Sequence, residues 1–294
     1  MAIFVRLSRD DLRIILRDLG SILFVIGYVI LLPLLIAYLA GESHLYLAFL
    51  YPSALAIWVG YFLRKKLRDA GETLPKHAMI NAGLAWLVIS VIGAVPYWYY
   101  GMGVLNGYFE SMSGFTTTGM TLIRDVEALP RSIVFWRSLS QWIGGVGVIM
   151  LFMVILLQSR IVMSRFYFAE ARTERIRPGI ASTITIIWKI YILLTSLGII
   201  LYFIAGMNWF DSINHALTTL ATSGYSTKNT SIASYNSLGI EVVAIVLMLI
   251  GGISFVVHFR ILEGDKKELV NNPEVRAYLV IIFLGIILVF FNLV

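Results

Sequence analysis

The chain has 294 residues, of which 59% are hydrophobic and 14% charged, with a net charge of +6 and no cysteine. A soluble domain has roughly a quarter of its residues charged, so this composition, with a mean hydropathy of +0.85, excludes a water-soluble fold and points to a polytopic membrane protein. The missing cysteines exclude a disulfide framework and thiolate metal sites, and the positive charge does not indicate nucleic acid, because lysine and arginine fall in loops between apolar runs.

In chain order, the N-terminal stretch MAIFVRLSRDDLRIILRDLG mixes charges through its apolar residues and lacks a small-residue cleavage site. It reads as a cytoplasmic amphipathic helix lying at the interface, not as a signal peptide. Runs long enough to cross a bilayer follow at about residues 20–40, 46–63, 78–100, 133–158, 183–205, 238–262 and 277–294. Two further apolar stretches, about 104–117 and 209–221, are too short to cross, and each leads into a Thr/Gly segment. Half-length segments of this kind are expected to be re-entrant pore helices.

Basic residues set the orientation. Eighteen of the 23 lysines and arginines lie in four clusters: the N-terminal tail, Arg64–Lys76, Arg160–Arg177 and Arg260–Arg276. These clusters share one side only if the two short segments do not cross, and the positive-inside rule makes that side the cytoplasm. The Thr/Gly segments then face outward.

The two short segments superpose without a gap at an offset of 105 residues, Gly101 on Gly206, Met102 on Met207, Thr117 on Thr222, Gly119 on Gly224 and Thr121 on Ser226. A repeated hydroxyl-and-glycine segment held between membrane helices suits a cation filter: glycine lets backbone carbonyls turn toward an axis, where they replace an ion's hydration shell. The candidate ligands are the carbonyls of Thr116, Thr117, Thr118 and Gly119 in the first segment and of Ala221, Thr222, Ser223 and Gly224 in the second. The side chains of Thr117, Thr118 and Thr121 are expected to brace the first. The bland alternative is a Thr/Gly turn between a surface helix and the next span. Pore helices that end at these segments aim their negative dipole ends at the ion.

Charges at membrane depth are costly and usually pair, so Glu110 and Arg137 are expected to form an ion pair that anchors the first pore helix; the alternative is that both reach water. Asp211, at the start of the second pore helix, is expected to cap free backbone N–H groups. Gly144, Gly145, Gly147, Gly251 and Gly252 lie along the helices that follow the filters, where small residues permit close packing or a bend; packing is the expected role. The four histidines show no metal-ligand spacing, and no HExxH, Gly-x-Ser-x-Gly or Walker pattern is present.

The expected fold is therefore an all-α polytopic membrane protein of repeated helix–re-entrant loop–helix units. Residues 1–76 hold the amphipathic helix and two extra spans, 77–175 a first unit with its filter at 116–121, 176–265 a second with its filter at 222–227, and 266–294 the start of a third.

The unit carrying Thr116-Thr117-Thr118-Gly119-Met120-Thr121 resembles the Trk/Ktr/HKT superfamily of potassium transporters, its bacterial TrkH branch most closely. Phe109-Glu110-Ser111, Gln141-Trp142-Ile143-Gly144-Gly145, Trp209-Phe210-Asp211-Ser212, His258-Phe259 and Asn272-Pro273-Glu274 share the resemblance. It implies four such units around one pore, two of them complete here, with potassium held by filter carbonyls and no organic cofactor. It further implies a multi-pass protein of the bacterial inner membrane with a cytoplasmic N-terminus, surrounded by lipid. Expected partners are a second copy of the chain and a cytosolic nucleotide-binding regulatory subunit. On this reading two filters supply half of a cage, and the rest comes from a missing C-terminal part or another chain. The competing reading is a non-conducting truncated, assembly or regulatory membrane subunit. An enzyme is not expected, since no acid/base cluster lies at membrane depth.

Overall fold

The computed structural model describes residues 7–147 and 180–293. Among them the secondary structure is helical throughout. Five helical segments are long and apolar enough to cross a membrane, Arg9–Leu39, Ser43–Lys66, Lys76–Tyr99, Thr185–Ile204 and Pro273–Asn292, with a bent pair as a possible sixth. The expected span at 133–158 is described only to residue 147, and the basic cluster at Arg160–Arg177 lies outside the described residues.

Helix α1 (Arg9–Val29) opens with a capping box: the Ser8 hydroxyl accepts from the Asp11 N–H, and the Asp11 carboxylate accepts from the Ser8 N–H. From Arg9 it runs unbroken to Val29, so the charged stretch and the start of the first apolar run share one helix, which corrects the expected boundary near residue 20. The physical reason is that its polar face finds partners. Arg17 donates to the Ala70 and Gly71 carbonyls at 2.7 and 2.8 Å. Asp11 pairs with Lys76 at 2.8 Å and accepts from Nε2 of buried His77 at 2.7 Å. His77 Nδ1 accepts the Leu74 N–H, so the ring proton sits on Nε2.

The helix breaks at Ile30 and Leu31, before Pro33, and resumes as α2 (Leu32–Leu39). Helix α3 (Tyr46–Lys66) returns antiparallel to α1 along a seam of small residues. A Cβ on Gly60 would stand 2.6 Å from the Gly20 carbonyl oxygen, one on Gly27 would stand 3.0 Å from that of Ser53, and the Ser53 hydroxyl donates to the Gly27 carbonyl at 2.7 Å. Without a hydrophobic drive between helices in lipid, such close backbone approach is what holds a membrane hairpin.

The first repeat consists of α4 (Pro75–Tyr99), α5 (Val104–Phe115), an extended segment and α6 (131–147). The second consists of α7 (Ile180–Ile204), α8 (Trp209–Leu220), an extended segment and α9 (Leu238–Gly251), followed by α10 (Phe255–Leu262). The short α11 (Glu268–Asn271) leads to α12 (Pro273–Leu293). Helices α5 and α8 have 12 residues each. At ~1.5 Å per residue neither covers the roughly 30 Å hydrocarbon core.

Helices α9 and α10 are bent by 98° at Gly252-Ile253-Ser254. The stretch 238–262 is thus not one straight helix, and for Gly252 the bend, not packing alone, is what the structure shows. The other glycines pack. A Cβ on Gly144 would overlap the Phe115 carbonyl, and one on Gly251 would stand 2.8 Å from the carbonyl oxygen of Leu220, its repeat counterpart. Glycine at both positions lets the ends of α5 and α8 seat on the following helix.

Candidate ion-lining site

The repeat recurs in three dimensions bond for bond. Gly101 and Gly206 turn the chain with φ of 107° and 110°. The Met102 N–H donates to Tyr97 at 3.0 Å and the Met207 N–H to Tyr202 at 3.1 Å. After each half-length helix the Thr118 N–H donates to Ser113 and the Ser223 N–H to Thr218, at 3.0 and 3.1 Å. Positive φ then falls on every second residue: Thr117 and Gly119 at 55° and 76°, Thr222 and Gly224 at 52° and 104°. A left-handed conformation is a genuine outlier for a β-branched residue. Its recurrence at Thr117 and Thr222 marks strain that the surroundings impose twice, as functional sites do. Alternation of backbone hand turns successive carbonyls the same way.

Among the described residues, none of the eight backbone oxygens of Thr116 to Gly119 and Ala221 to Gly224 accepts a hydrogen bond. The next carbonyl along the first segment, that of Met120, accepts from Ser113 Oγ at 2.6 Å and from the Tyr225 hydroxyl at 3.1 Å. Thr118 is braced through Thr116, whose hydroxyl donates to the Met112 carbonyl at 2.7 Å and lies 2.8 Å from the Thr118 hydroxyl. The Thr117 hydroxyl makes no hydrogen bond among the described residues, so its contribution is conformational and not the expected side-chain brace.

Behind the first segment Glu110 and Arg137 meet at 2.9 Å, with side chains 0% and 1% exposed. Thr121 sits between them: its hydroxyl donates to both Glu110 oxygens at 2.9 and 3.1 Å and accepts from Arg137 Nη2 at 3.2 Å and from the Ile123 N–H at 3.1 Å. In the second repeat His215 replaces Glu110. Its Nδ1 faces the Asp211 carbonyl and therefore carries the proton, so Nε2 accepts from the Ser226 hydroxyl at 3.0 Å. Ser226 in turn accepts the Lys228 N–H at 3.0 Å, as Thr121 accepts that of Ile123. One design is thus executed once with an ion pair and once with a neutral imidazole.

Asp211 is placed differently from expectation. The cap of α8 is Asn208, whose Oδ1 accepts the Asp211 N–H at 2.9 Å. Standing three residues inside the helix, the Asp211 carboxylate instead accepts from Asn208 Nδ2 at 2.8 Å and from Thr227 Oγ1 at 2.7 Å. It ties the helix start to the chain beyond the second Thr/Gly segment.

The two segments lie side by side. A Cβ on Gly119 would overlap the Ser223 carbonyl. Gln141, buried on α6, accepts from Ser223 Oγ at 2.7 Å and the Tyr225 N–H at 3.0 Å. Tyr225 lies under the Arg137 guanidinium, 4.1 Å from ring centroid to carbon, and its hydroxyl donates to the Glu110 carbonyl at 3.1 Å. Sequence reasoning singled out Gln141 only as part of a motif and gave Tyr225 no role. The corresponding face of the second repeat is an open cavity of about 530 Å³, whose walls include Thr219, Ala244 and Met248. These are the counterparts of Gly114, Arg137 and Gln141, the first at the 105-residue offset and the others at the 107-residue offset of the paired glycines.

A profile of the family described as TrkH, cation transport protein, matches residues 49–294. An uncharacterised cation transporter of Methanocaldococcus jannaschii is 39% identical over 290 residues, which cover 96% of the chain and 59% of that protein. The Trk system potassium uptake protein TrkH of Halomonas elongata is 32% identical, with 95% of the chain and 59% of that protein covered. The crystal structure of the potassium transporter TrkH from Vibrio parahaemolyticus superposes with a TM-score of 0.78 at 29% identity, over 93% of the chain and 57% of its own. The chain therefore spans somewhat more than half the length of these relatives.

Proposed function

Because the chain belongs to the TrkH family of cation transport proteins, we propose that it lines a potassium-conducting pore as part of a Trk-type uptake system. The observation that carries this is the pair of strained segments with eight unengaged carbonyls, at Thr116–Gly119 and Ala221–Gly224. Carbonyl oxygens that accept nothing from the described residues, held in place by hydrogen bonds on both flanks, suit a dehydrated cation. Helices α5 and α8 enter from the outer side and return as re-entrant segments, and the dipoles at their C-terminal ends favour positive charge at the carbonyls. Potassium is the cargo, and no organic cofactor takes part.

The first unit occupies 77–175 and the second 176–265. Two segments enclose only part of an ion, and the open cavity beside Tyr225 is where a further filter segment completes the ring. We assign the protein to the bacterial inner membrane, with the N-terminus cytoplasmic and α12 facing lipid or a second copy of the chain. The exposed basic stretch from Arg260 to Arg276 belongs to the face that would meet a cytosolic nucleotide-binding subunit. The test is rubidium uptake, as a potassium surrogate, in uptake-deficient cells expressing the intact transporter. Selective uptake abolished by Gly119→Ser supports the reading. Correct membrane insertion with no cation uptake would favour a non-conducting assembly role instead.

A further inference from the structure

We infer that Arg137 is a positioning residue that sets the spacing between the two filter segments and thereby the cation preference, an inference that rests on the pore reading above. Its guanidinium contacts both repeats. Nε holds Glu110 on α5 at 2.9 Å, Nη2 holds Thr121 at the end of the first segment at 3.2 Å, and Nη1 reaches the Ser226 carbonyl at the end of the second at 3.4 Å. Its central carbon lies over the Tyr225 ring, and the Tyr225 hydroxyl closes the circuit on the Glu110 and Met120 carbonyls. Four residues along α6, Gln141 takes Ser223 and the Tyr225 N–H. The bonds to Glu110 and Thr121 fix the guanidinium within the first repeat, and the others join the second filter segment to it.

A buried ion pair by itself is weak evidence of purpose, because an apolar pair of the same shape often serves stability as well. Here the planar, forked guanidinium does what neither an apolar pair nor a lysine does: it binds two segments at once from a fixed geometry. The clamp is also not a general feature of the repeat. The counterparts of Arg137 and Gln141 in the second unit are Ala244 and Met248, and His215 with Ser226 replaces the ion pair there. Arg137 thus serves one junction, between segments whose backbones touch at Gly119 and the Ser223 carbonyl. A site that ranks ions by size tolerates positional error of only about 0.5 Å, so loosening this junction loosens the cage.

The test uses the intact transporter in uptake-deficient cells and in vesicles, with rubidium uptake measured against rising sodium and thermal stability measured in detergent. Arg137→Lys keeps a charge for Glu110 but not the fork. The double variant Glu110→Leu/Arg137→Met removes both charges, so no unpaired carboxylate remains buried. Both variants are expected to lose potassium-over-sodium preference by about tenfold or more, and the double variant to melt near the unaltered protein. A folded double variant with unaltered preference would overturn the proposal. Should the double variant fail to fold, unaltered preference in Arg137→Lys would do the same. If the unaltered protein itself shows no preference, the pore reading fails and this inference with it. Selective uptake by the unaltered protein beside unaltered preference in the variants sinks the role of Arg137 alone.

Discussion

At position 119 a side chain would meet the Ser223 carbonyl, and the backbone there has φ of 76°. Both facts forbid a Cβ, the first by overlap and the second by conformation. Gly119→Ser is therefore expected to displace the second filter segment as well as strain the first. Potassium-over-sodium preference in rubidium uptake should collapse, and unchanged preference would remove Gly119 from the ion-lining set. Glu42 acts at the same scale in a different currency of contact. Its carboxylate accepts the Arg131 and Ser132 N–H groups at 2.6 and 3.0 Å and the Ser132 hydroxyl at 2.6 Å, capping α6 from 89 residues away. Losing a cap of this kind costs about 1 kcal/mol. Glu42→Ala should thus lower the thermal unfolding midpoint in detergent while leaving ion preference intact; a changed preference would mean that the cap also positions the filter.

Among the elements, the α1–α3 hairpin depends on backbone contact and not on side-chain bulk. A Cβ on Gly60 would stand 2.6 Å from both the Gly20 oxygen and the Phe24 nitrogen, whereas one on Gly285 in α12 meets nothing within 4 Å. Gly60→Val should destabilise the protein by roughly 1–3 kcal/mol, as overpacking does, and Gly285→Val should be near neutral. The comparison is made by thermal unfolding of the two variants side by side; equal effects would show that the seam contributes little. The break between α9 and α10 belongs to this scale too. It follows α9 where a Cβ on Gly252 would press on the Tyr278 hydroxyl of α12, so α12 meets the end of α9 at the bend.

For the whole molecule, the junction built from Arg137, Tyr225 and Gln141 is occupied between the first and second repeats, while its counterpart beside Met248 is an open cavity. On the proposed pore reading, two segments arranged this way reach only part of an ion's circumference. Residues 1–294 expressed by themselves in potassium-uptake-deficient cells are therefore expected not to restore growth at low potassium. Robust and selective rescue would show that two segments per chain suffice, through assembly of copies or otherwise.

What the sequence by itself determined is what consecutive residues encode. Apolar runs set the membrane class, the 105-residue offset exposed the repeat, and glycine with hydroxyl residues marked 116–119 and 221–224, because span length and left-handed backbone are local demands. Opposite charges at membrane depth also made the Glu110–Arg137 pair legible, since burial of either alone is prohibitive. Only the tertiary structure decided the rest. The hydrogen bonds that set the two Thr/Gly segments side by side link residues 82 to 115 positions apart, Gln141 to Ser223 and Tyr225 to Glu110 among them, and no periodicity announces such pairs. The polar face of α1 looked interfacial because its partners, the Ala70 and Gly71 carbonyls and His77, lie more than fifty residues away. Asp211 looked like a cap because a carboxylate in a first helical turn usually serves the nearest N–H groups; it serves Thr227 because the fold brings the end of the second filter segment back across that turn.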